Sequence, residues 1–390
     1  MKTAHRLSLI PPYLFAEIDK KKQAAMARGV DIVNLGIGDP DLPTPKILVE
    51  ALQKAVEDPD THNYPPYEGT ADFRKAVSVY YQDRFGVDVD PATEVIGLIG
   101  SKEGIAHIAL AFVDPGDVVL LTNPGYPVYN TAAIMAGGTP YHVPIHAETG
   151  YFPDFSAIPS DVARKAKMFY INYPNNPTSA VVTKDQLKEA VAFAKEYDIL
   201  LCHDLAYSEV CYDGYRSISI LEIEGAKDVA IEFNSLSKTF NMTGWRIGMA
   251  VGAKEAIAGL GAIKTNVDSG VFKAIQKAAI FGLLHPDRQK MIDENNAIFQ
   301  ARRDKVVAGL KHLGWNIEAP KASFYLWLPV PKGYTSAQFA GIMLDECGIV
   351  VSPGTGYGEY GEGYFRMTLT APDERFDVAL QRMADKGIRY

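Results

Sequence analysis

The chain has 390 residues, a formal net charge of −8, and 47% hydrophobic against 22% charged residues. That length exceeds what one hydrophobic core accommodates, so two domains are expected, and the acidic balance without a long basic run argues against a nucleic-acid partner. Three cysteines, Cys202, Cys211 and Cys347, lack disulfide-framework or metal-ligand spacing, so no metal is expected and a reducing compartment is indicated.

Met1 to Pro12 carries a short apolar patch broken by two prolines, with no cleavage pattern. No apolar run reaches membrane-spanning length, so a cytoplasmic protein with no membrane partner is expected. Pro11 to Lys20 opens a helix with Leu14, Ile18 and Met26 on one face and Lys20 to Lys22 on its solvated side. Ile32 to Gly38 reads as a short strand ending in glycines. Gly38 lets the backbone approach a ligand, or simply makes a tight turn. Asp39 to Pro45 breaks the chain as a domain crossing does.

Asn63 to Gly69 is a stiff loop carrying Tyr64, and a helix follows with Phe73, Ala76, Val77 and Tyr80 at helical spacing. Val95 to Gly100 is a strand leading to Ser101, Lys102 and a helix from Ile105. A serine there either caps the helix or helps its N–H groups hold an anion. After the strand Val118 to Thr122, Tyr126 sits in a Gly-Tyr-Pro turn, either offering a rigid face for stacking or packing in the core.

Met168 to Ile171 runs into Asn172 to Thr178, which places Asn176 on the ligand side of an α/β sheet. Asp185 to Tyr197 is an amphipathic helix. The strand Ile199 to Cys202 ends in His203 to Tyr207. Asp204, at the end of an apolar strand, needs a partner, although a helix cap is the competing use. His203 reads as a packing residue.

Val229 to Phe233 is a buried strand that opens on Asn234 to Gly248. There Ser235, Ser237 and Arg246 are what a phosphate requires, and Lys238 is placed to form a Schiff base with a carbonyl. Pyridoxal 5′-phosphate (PLP) combines a phosphate with an aldehyde. A polar loop with a solvated lysine is the alternative, weakened by the apolar residues flanking Arg246.

Beyond Asn295 the order is helix (297–313), strand (324–328), helix (336–347), strands and a last helix (374–386), a smaller α+β domain. Residues 46–284 alternate strand and helix as a doubly wound, mostly parallel sheet, and 1–45 is expected to join 285–390. Gly356 to Gly361 fits the G-x-G-x-x-G pattern, but a strand follows it instead of a helix, so no dinucleotide site is expected. Arg366, among aromatic and apolar neighbours in that strand, suits a planar anion or a structural ion pair.

The segment Ser235 to Lys238 with Gly244 to Gly248 resembles the lysine segment of the class I/II aminotransferases, PLP enzymes of fold type I. The other motifs follow in that family's order: Gly38, Tyr64, Ser101, Tyr126, Asn176, Asp204, Tyr207 and Arg366. The resemblance implies that Lys238 bonds the cofactor and acts as general base. Asp204 then pairs with the ring nitrogen, Tyr207 and Asn176 serve the phenolic oxygen, and Tyr126 stacks on the ring. Ser101, Lys102, Ser235, Ser237, Arg246 and a partner chain's Tyr64 sit around the phosphate, which implies a homodimer. Gly38, Asn176 and Arg366 take the substrate α-carboxylate. Ser179 stands where many relatives carry glycine.

The opening Pro11 to Ile18 and Gly100 to Gly104 look most like the LL-diaminopimelate aminotransferases, which implies substrate contacts for Tyr13 and Lys102. The implied reaction exchanges an amino group between LL-2,6-diaminopimelate and 2-oxoglutarate, an amino acid and a 2-oxo acid. Lys102 with Glu103, and Glu68 nearby, would match the substrate's zwitterionic far end. The alternatives are an aminotransferase for alanine, aspartate or aromatic substrates, or a PLP-dependent carbon–sulfur lyase.

Overall fold

The computed structural model describes residues 1–11 and 14–390, so the role expected of Tyr13 lies outside the described residues. Its strands are β1 (Val33–Asn34), β2 (Val95–Leu98), β3 (Val118–Asn123), β4 (Thr139–Pro144), β5 (Ala166–Asn172) and β6 (Leu200–Asp204). They continue with β7 (Ala230–Ser235), β8 (Gly248–Gly252), β9 (Tyr325–Pro329), β10 (Ile349–Val350), β11 (Ser352–Pro353) and β12 (Tyr364–Thr368).

Seven of these form one sheet in the order β2-β8-β7-β6-β5-β3-β4. β4, β3, β5, β6 and β7 are mutually parallel, and β8 runs antiparallel to both β7 and β2. Alternate residues of each central strand serve opposite faces. On β5, Phe169 and Ile171 join the core beneath the helices Ala71–Phe85 and Lys184–Tyr197. Met168 and Tyr170 join the core beneath Ser101–Phe112 and Lys254–Val267. Each fully buried large side chain in these layers contributes roughly 1.5–3 kcal/mol. Thr183 starts the helix Lys184–Tyr197 with a capping box: its hydroxyl accepts from the Gln186 N–H while the Gln186 side chain reaches back.

A third core gathers Val33 and Leu35 with residues from Phe299 to Met383, around Trp315, Phe324, Phe339 and Phe365. It lies against the antiparallel sheet β11-β12-β9 and the parallel pair β1-β10. Among the described residues, no helix is long and apolar enough to cross a membrane.

Three element ends differ from expectation, each for a polar reason. β6 runs on through His203 and Asp204, which pair in register with Glu232 and Asn172 on the neighbouring strands. β7 likewise continues through Asn234 and Ser235. The helix expected from 297 begins at Arg288, because its first turns are polar and bury only Met291 and Ile292. Gly356 to Gly361 forms two short 3-10 turns ahead of β12, as the rejection of a dinucleotide motif requires.

Candidate active site

Because six strands of the main sheet point one way, the segments leaving β2, β3, β5, β6 and β7 converge on one edge. There they meet the turn that enters β8. A cavity of about 310 Å³ opens at that edge. Its lining brings together Gly38, Ser101, Lys102, Tyr126, Asn176, Asp204, Tyr207, Ser235, Ser237, Lys238, Arg246 and Arg366, all named from the sequence. Tyr64 does not line it; that side chain is 85% exposed on its loop.

The groups suited to an anion cluster at one end. The helix Ser101–Phe112 starts from Gly100, in left-handed backbone with φ +77°, and no side chain caps it. A Cβ on Gly100 would collide with the Arg246 guanidinium, so glycine lets the arginine lie over the helix start. Arg246 is anchored there by donating to the carbonyls of Thr243 (2.8 Å) and Ile99 (3.3 Å). Ser235 caps the one-turn helix Leu236–Thr239, accepting from the Ser237 N–H at 3.3 Å, and so fixes both hydroxyls and Lys238 in one turn.

Asp204 is buried beneath the cavity floor. Burial pushes its carboxyl up to about 6, against the hydrogen bond from Tyr129 and the nearby His203 and Lys238. The Tyr129 hydroxyl donates to Oδ2 at 2.8 Å and the Ala206 N–H to Oδ1 at 3.3 Å. The Asn172 amide donates to the Asp204 carbonyl at 2.6 Å and its oxygen accepts the Asn176 N–H at 2.7 Å, tying the two turns together.

Lys238 extends between the two ends and donates to the Gly38 carbonyl at 3.3 Å. Burial brings its amine down to about 8; Asp39 and Asp204 work against that, while Arg246 and Arg366 add to it. A lowered amine favours the neutral form, the one that acts as nucleophile and base. Opposite, the fully buried Arg366 donates to Asn176 Oδ1 (2.7 Å) and to the Gly36 carbonyl (2.7 Å).

The expected pairing of Lys102 with Glu103 is corrected. Lys102 lines the cavity, with Nζ 5.9 Å from the Tyr126 ring centre. Glu103 turns away: its carboxylate accepts from Lys264 Nζ (3.0 Å) and the Ile99 N–H (3.1 Å), and it contacts His107 (2.8 Å). Adjacent helical residues project about 100° apart, so the two cannot share a face. Glu103, His107 and Asp268 lie close enough to hold a cation. The Lys264 ammonium, 2.9 Å from Asp268, already occupies that cluster.

The model of the family described as "Aminotransferase class I and II" matches residues 30–383. The chain belongs to the class I and II aminotransferases. It is 57% identical over 391 residues to LL-diaminopimelate aminotransferase 2 of Nostoc sp., covering 100% of both chains. It is 56% identical to LL-diaminopimelate aminotransferase of Aquifex aeolicus, over 97% of each. Among solved structures, substrate-bound BacF from Bacillus subtilis superposes with a TM-score of 0.95. That match has 36% identity and covers 99% of this chain and 98% of BacF. The aminotransferase thus has the α/β architecture of PLP fold type I expected from its motifs.

Two residues that shape this aminotransferase's site, one lining the cavity and one behind it, were missed in the sequence. Tyr129, three residues beyond Tyr126, is a core aromatic by every pattern and stacks on Tyr170 at 5.1 Å. The signal available was the need of a buried Asp204 for a donor. Tyr325 lines the cavity and leans against Gly38, where any Cβ would collide with its ring and hydroxyl. Gly38→Ala is therefore expected to push the turn or Tyr325 aside at a cost of about 2 kcal/mol, read as a roughly tenfold or greater rise in KM for both substrates. An unchanged KM would remove Gly38 from the binding surface.

Proposed function

We propose that this aminotransferase is an LL-diaminopimelate aminotransferase that uses PLP. It exchanges an amino group between LL-2,6-diaminopimelate and 2-oxoglutarate, with tetrahydrodipicolinate and glutamate as the other pair. The observation that carries the reading is the placement of Lys238 between an anion cup at one end and Arg366 at the other, over the buried Asp204. The 50–57% identity to full-length enzymes named for this reaction supports the choice of substrate.

The donor set fits the cofactor. Arg246, Ser101, Ser235 and Ser237 suit its phosphate, and a carboxylate buried at the cost seen for Asp204 calls for a cationic N–H beside it. When bound, PLP supplies an aldehyde that bonds the amino group and a protonated ring that withdraws electrons from the Cα–H bond. The chain's own residues do the rest. Arg366 and the Gly38 turn orient the α-carboxylate, so that the Cα–H faces Lys238. The Lys238 amine, once released, takes the Cα proton and returns it one atom away. Asp204 keeps the ring nitrogen's proton in place, and Tyr207 and Asn176 hold the phenolic oxygen.

The exposed Tyr64 is offered to a second copy of the chain, as a homodimer with shared sites requires, and the protein works in the cytoplasm. Residues 46–284 act as the cofactor-holding domain, and 1–45 with 285–390 as the smaller one.

A steady-state donor panel on the PLP-loaded protein with 2-oxoglutarate tests the reading. LL-2,6-diaminopimelate is expected to exceed alanine, aspartate and aromatic donors in kcat/KM by about 100-fold or more, the discrimination that buried polar contacts supply. Preference for another donor, or ammonia release without any keto acid, would overturn it.

A further inference from the structure

Tyr325 opens β9 and touches more of the site than any role so far assigned to it explains. Its ring lies under the Arg366 guanidinium, 4.1 Å from centre to Cζ. Its hydroxyl is 2.8 Å from that of Tyr207, and among the described residues each hydroxyl is the other's only hydrogen-bond partner. Its ring edge fills the space that a side chain on Gly38 would need.

Its backbone is also held. Ser179 Oγ donates to the Tyr325 carbonyl at 2.7 Å and shares a 2.7 Å hydrogen bond with Ser323 Oγ, which in turn accepts the Tyr325 N–H at 3.3 Å. Ser179 and Ser323 both have left-handed backbone, φ +61°. Such a conformation favours glycine. A serine at position 179 accepts that strain and gains a hydroxyl that ties the Asn172–Thr178 turn to the strand carrying Tyr325.

Two hydroxyls sharing one hydrogen bond leave one proton free, and its owner depends on which phenol is the stronger acid. Tyr325 carries the stacked Arg366 cation, opposed by the more distant Asp204 and Asp39. Burial pushes both phenols up; at each of them Arg366 works against that rise and Asp204 adds to it. The Arg366 cation stacked on its ring makes Tyr325 the better placed donor, which leaves the Tyr207 proton for the cavity that Tyr207 lines.

We propose that Tyr325 is a positioning residue for amino transfer: its ring seats Arg366 for the α-carboxylate, and its hydroxyl aims the Tyr207 proton at the reacting centre. This rests on the PLP reading above. Arg366 and Tyr207 are thereby coupled through one side chain. Neutralising Arg366 with a carboxylate weakens the donor, and the change is felt at Tyr207.

The test is a pH titration of the visible absorbance of the PLP-loaded protein, with and without glutarate as an unreactive carboxylate. A hydrogen bond donated to a phenolic oxygen stabilises its anion, so loss of the aimed proton raises the pH at which the chromophore loses its proton. Tyr325→Phe keeps the ring and is expected to raise that midpoint by about half a unit or more, and to lower kcat about tenfold. KM should stay within about twofold, because the Arg366 seat is kept. Tyr207→Phe should move the midpoint further, and adding Tyr325→Phe to it should change nothing more, since one acts through the other.

Identical titrations of wild type and Tyr325→Phe, or additive shifts in the double variant, would overturn the assignment while leaving the cofactor reading intact. A wild-type protein that develops no visible band with PLP would overturn both.

Discussion

Replacing Lys238 with alanine is expected to abolish amino transfer, with a fall in turnover on the order of 10⁴-fold or more. The cavity presents a second lysine, Lys102, but that side chain is exposed, whereas burial lowers the amine of Lys238. Lys238 also has a geometry that no substitute reproduces. Its amine lies 3.3 Å from the Gly38 carbonyl and 5.5 Å from the Phe324 ring centre, on the path from the Asp204 floor to Arg366. A proton base must sit within hydrogen-bond reach of the atom that it serves, and among the described residues lining the cavity the other amine is that of the exposed Lys102. The check has two arms. Turnover of LL-2,6-diaminopimelate with 2-oxoglutarate measures the loss, and borohydride reduction of the PLP-loaded wild type followed by peptide mapping locates the attachment. Label on another lysine, or a variant within about tenfold of wild type, would remove Lys238 from its role.

How much of this was legible in the sequence depended on whether chemistry or packing fixed the residue. The Ser235–Lys238 segment and Arg246 announced themselves because hydroxyls, an amine and a guanidinium cluster after an apolar strand. Asp204 did so because a carboxylate at the end of such a strand is costly. The parallel sheet was legible from its alternating elements, and with it the edge where these residues meet.

Tyr129 and Tyr325 were not legible. Their rings satisfy the pattern of a core, and only the fold reveals that their hydroxyls reach Asp204 and Tyr207. Glu103 was misread because neighbours in sequence were taken as neighbours in space, whereas its ammonium partner lies 161 residues away. The polar ends of β6 and β7 were missed for a related reason. His203 and Asn234 look like loop residues until the ladder carries them into the interior, where the His203 ring lies 2.9 Å from the Glu232 carboxylate.

Asp204→Asn should separate function from stability. In activity, a neutral amide cannot hold a positive ring nitrogen, so turnover is expected to fall by about 10³-fold, the scale of losing one aimed electrostatic contact in a buried site. In stability, the sign reverses for the cofactor-free protein. Burial raises the Asp204 carboxyl from 3.8 to about 6, so the folded chain binds that proton more tightly than the unfolded chain does. The penalty is absent below about pH 4, grows as pH climbs through the window between those values, and is complete above it. At 1.36 kcal/mol per unit, it amounts to roughly 3 kcal/mol at pH 8. Asparagine escapes the penalty but gives up one acceptor, towards Tyr129 or the Ala206 N–H, at a cost of about 1 kcal/mol. The net expectation is a cofactor-free variant about 2 kcal/mol more stable than wild type at pH 8, with the advantage gone near pH 4. Urea unfolding at the two pH values measures this. PLP should stabilise the wild type more than the variant, because only the wild type offers the ring a buried anion. A cofactor-free Asp204→Asn protein less stable than wild type at pH 8 would show that Asp204 is not held at a cost for the cofactor.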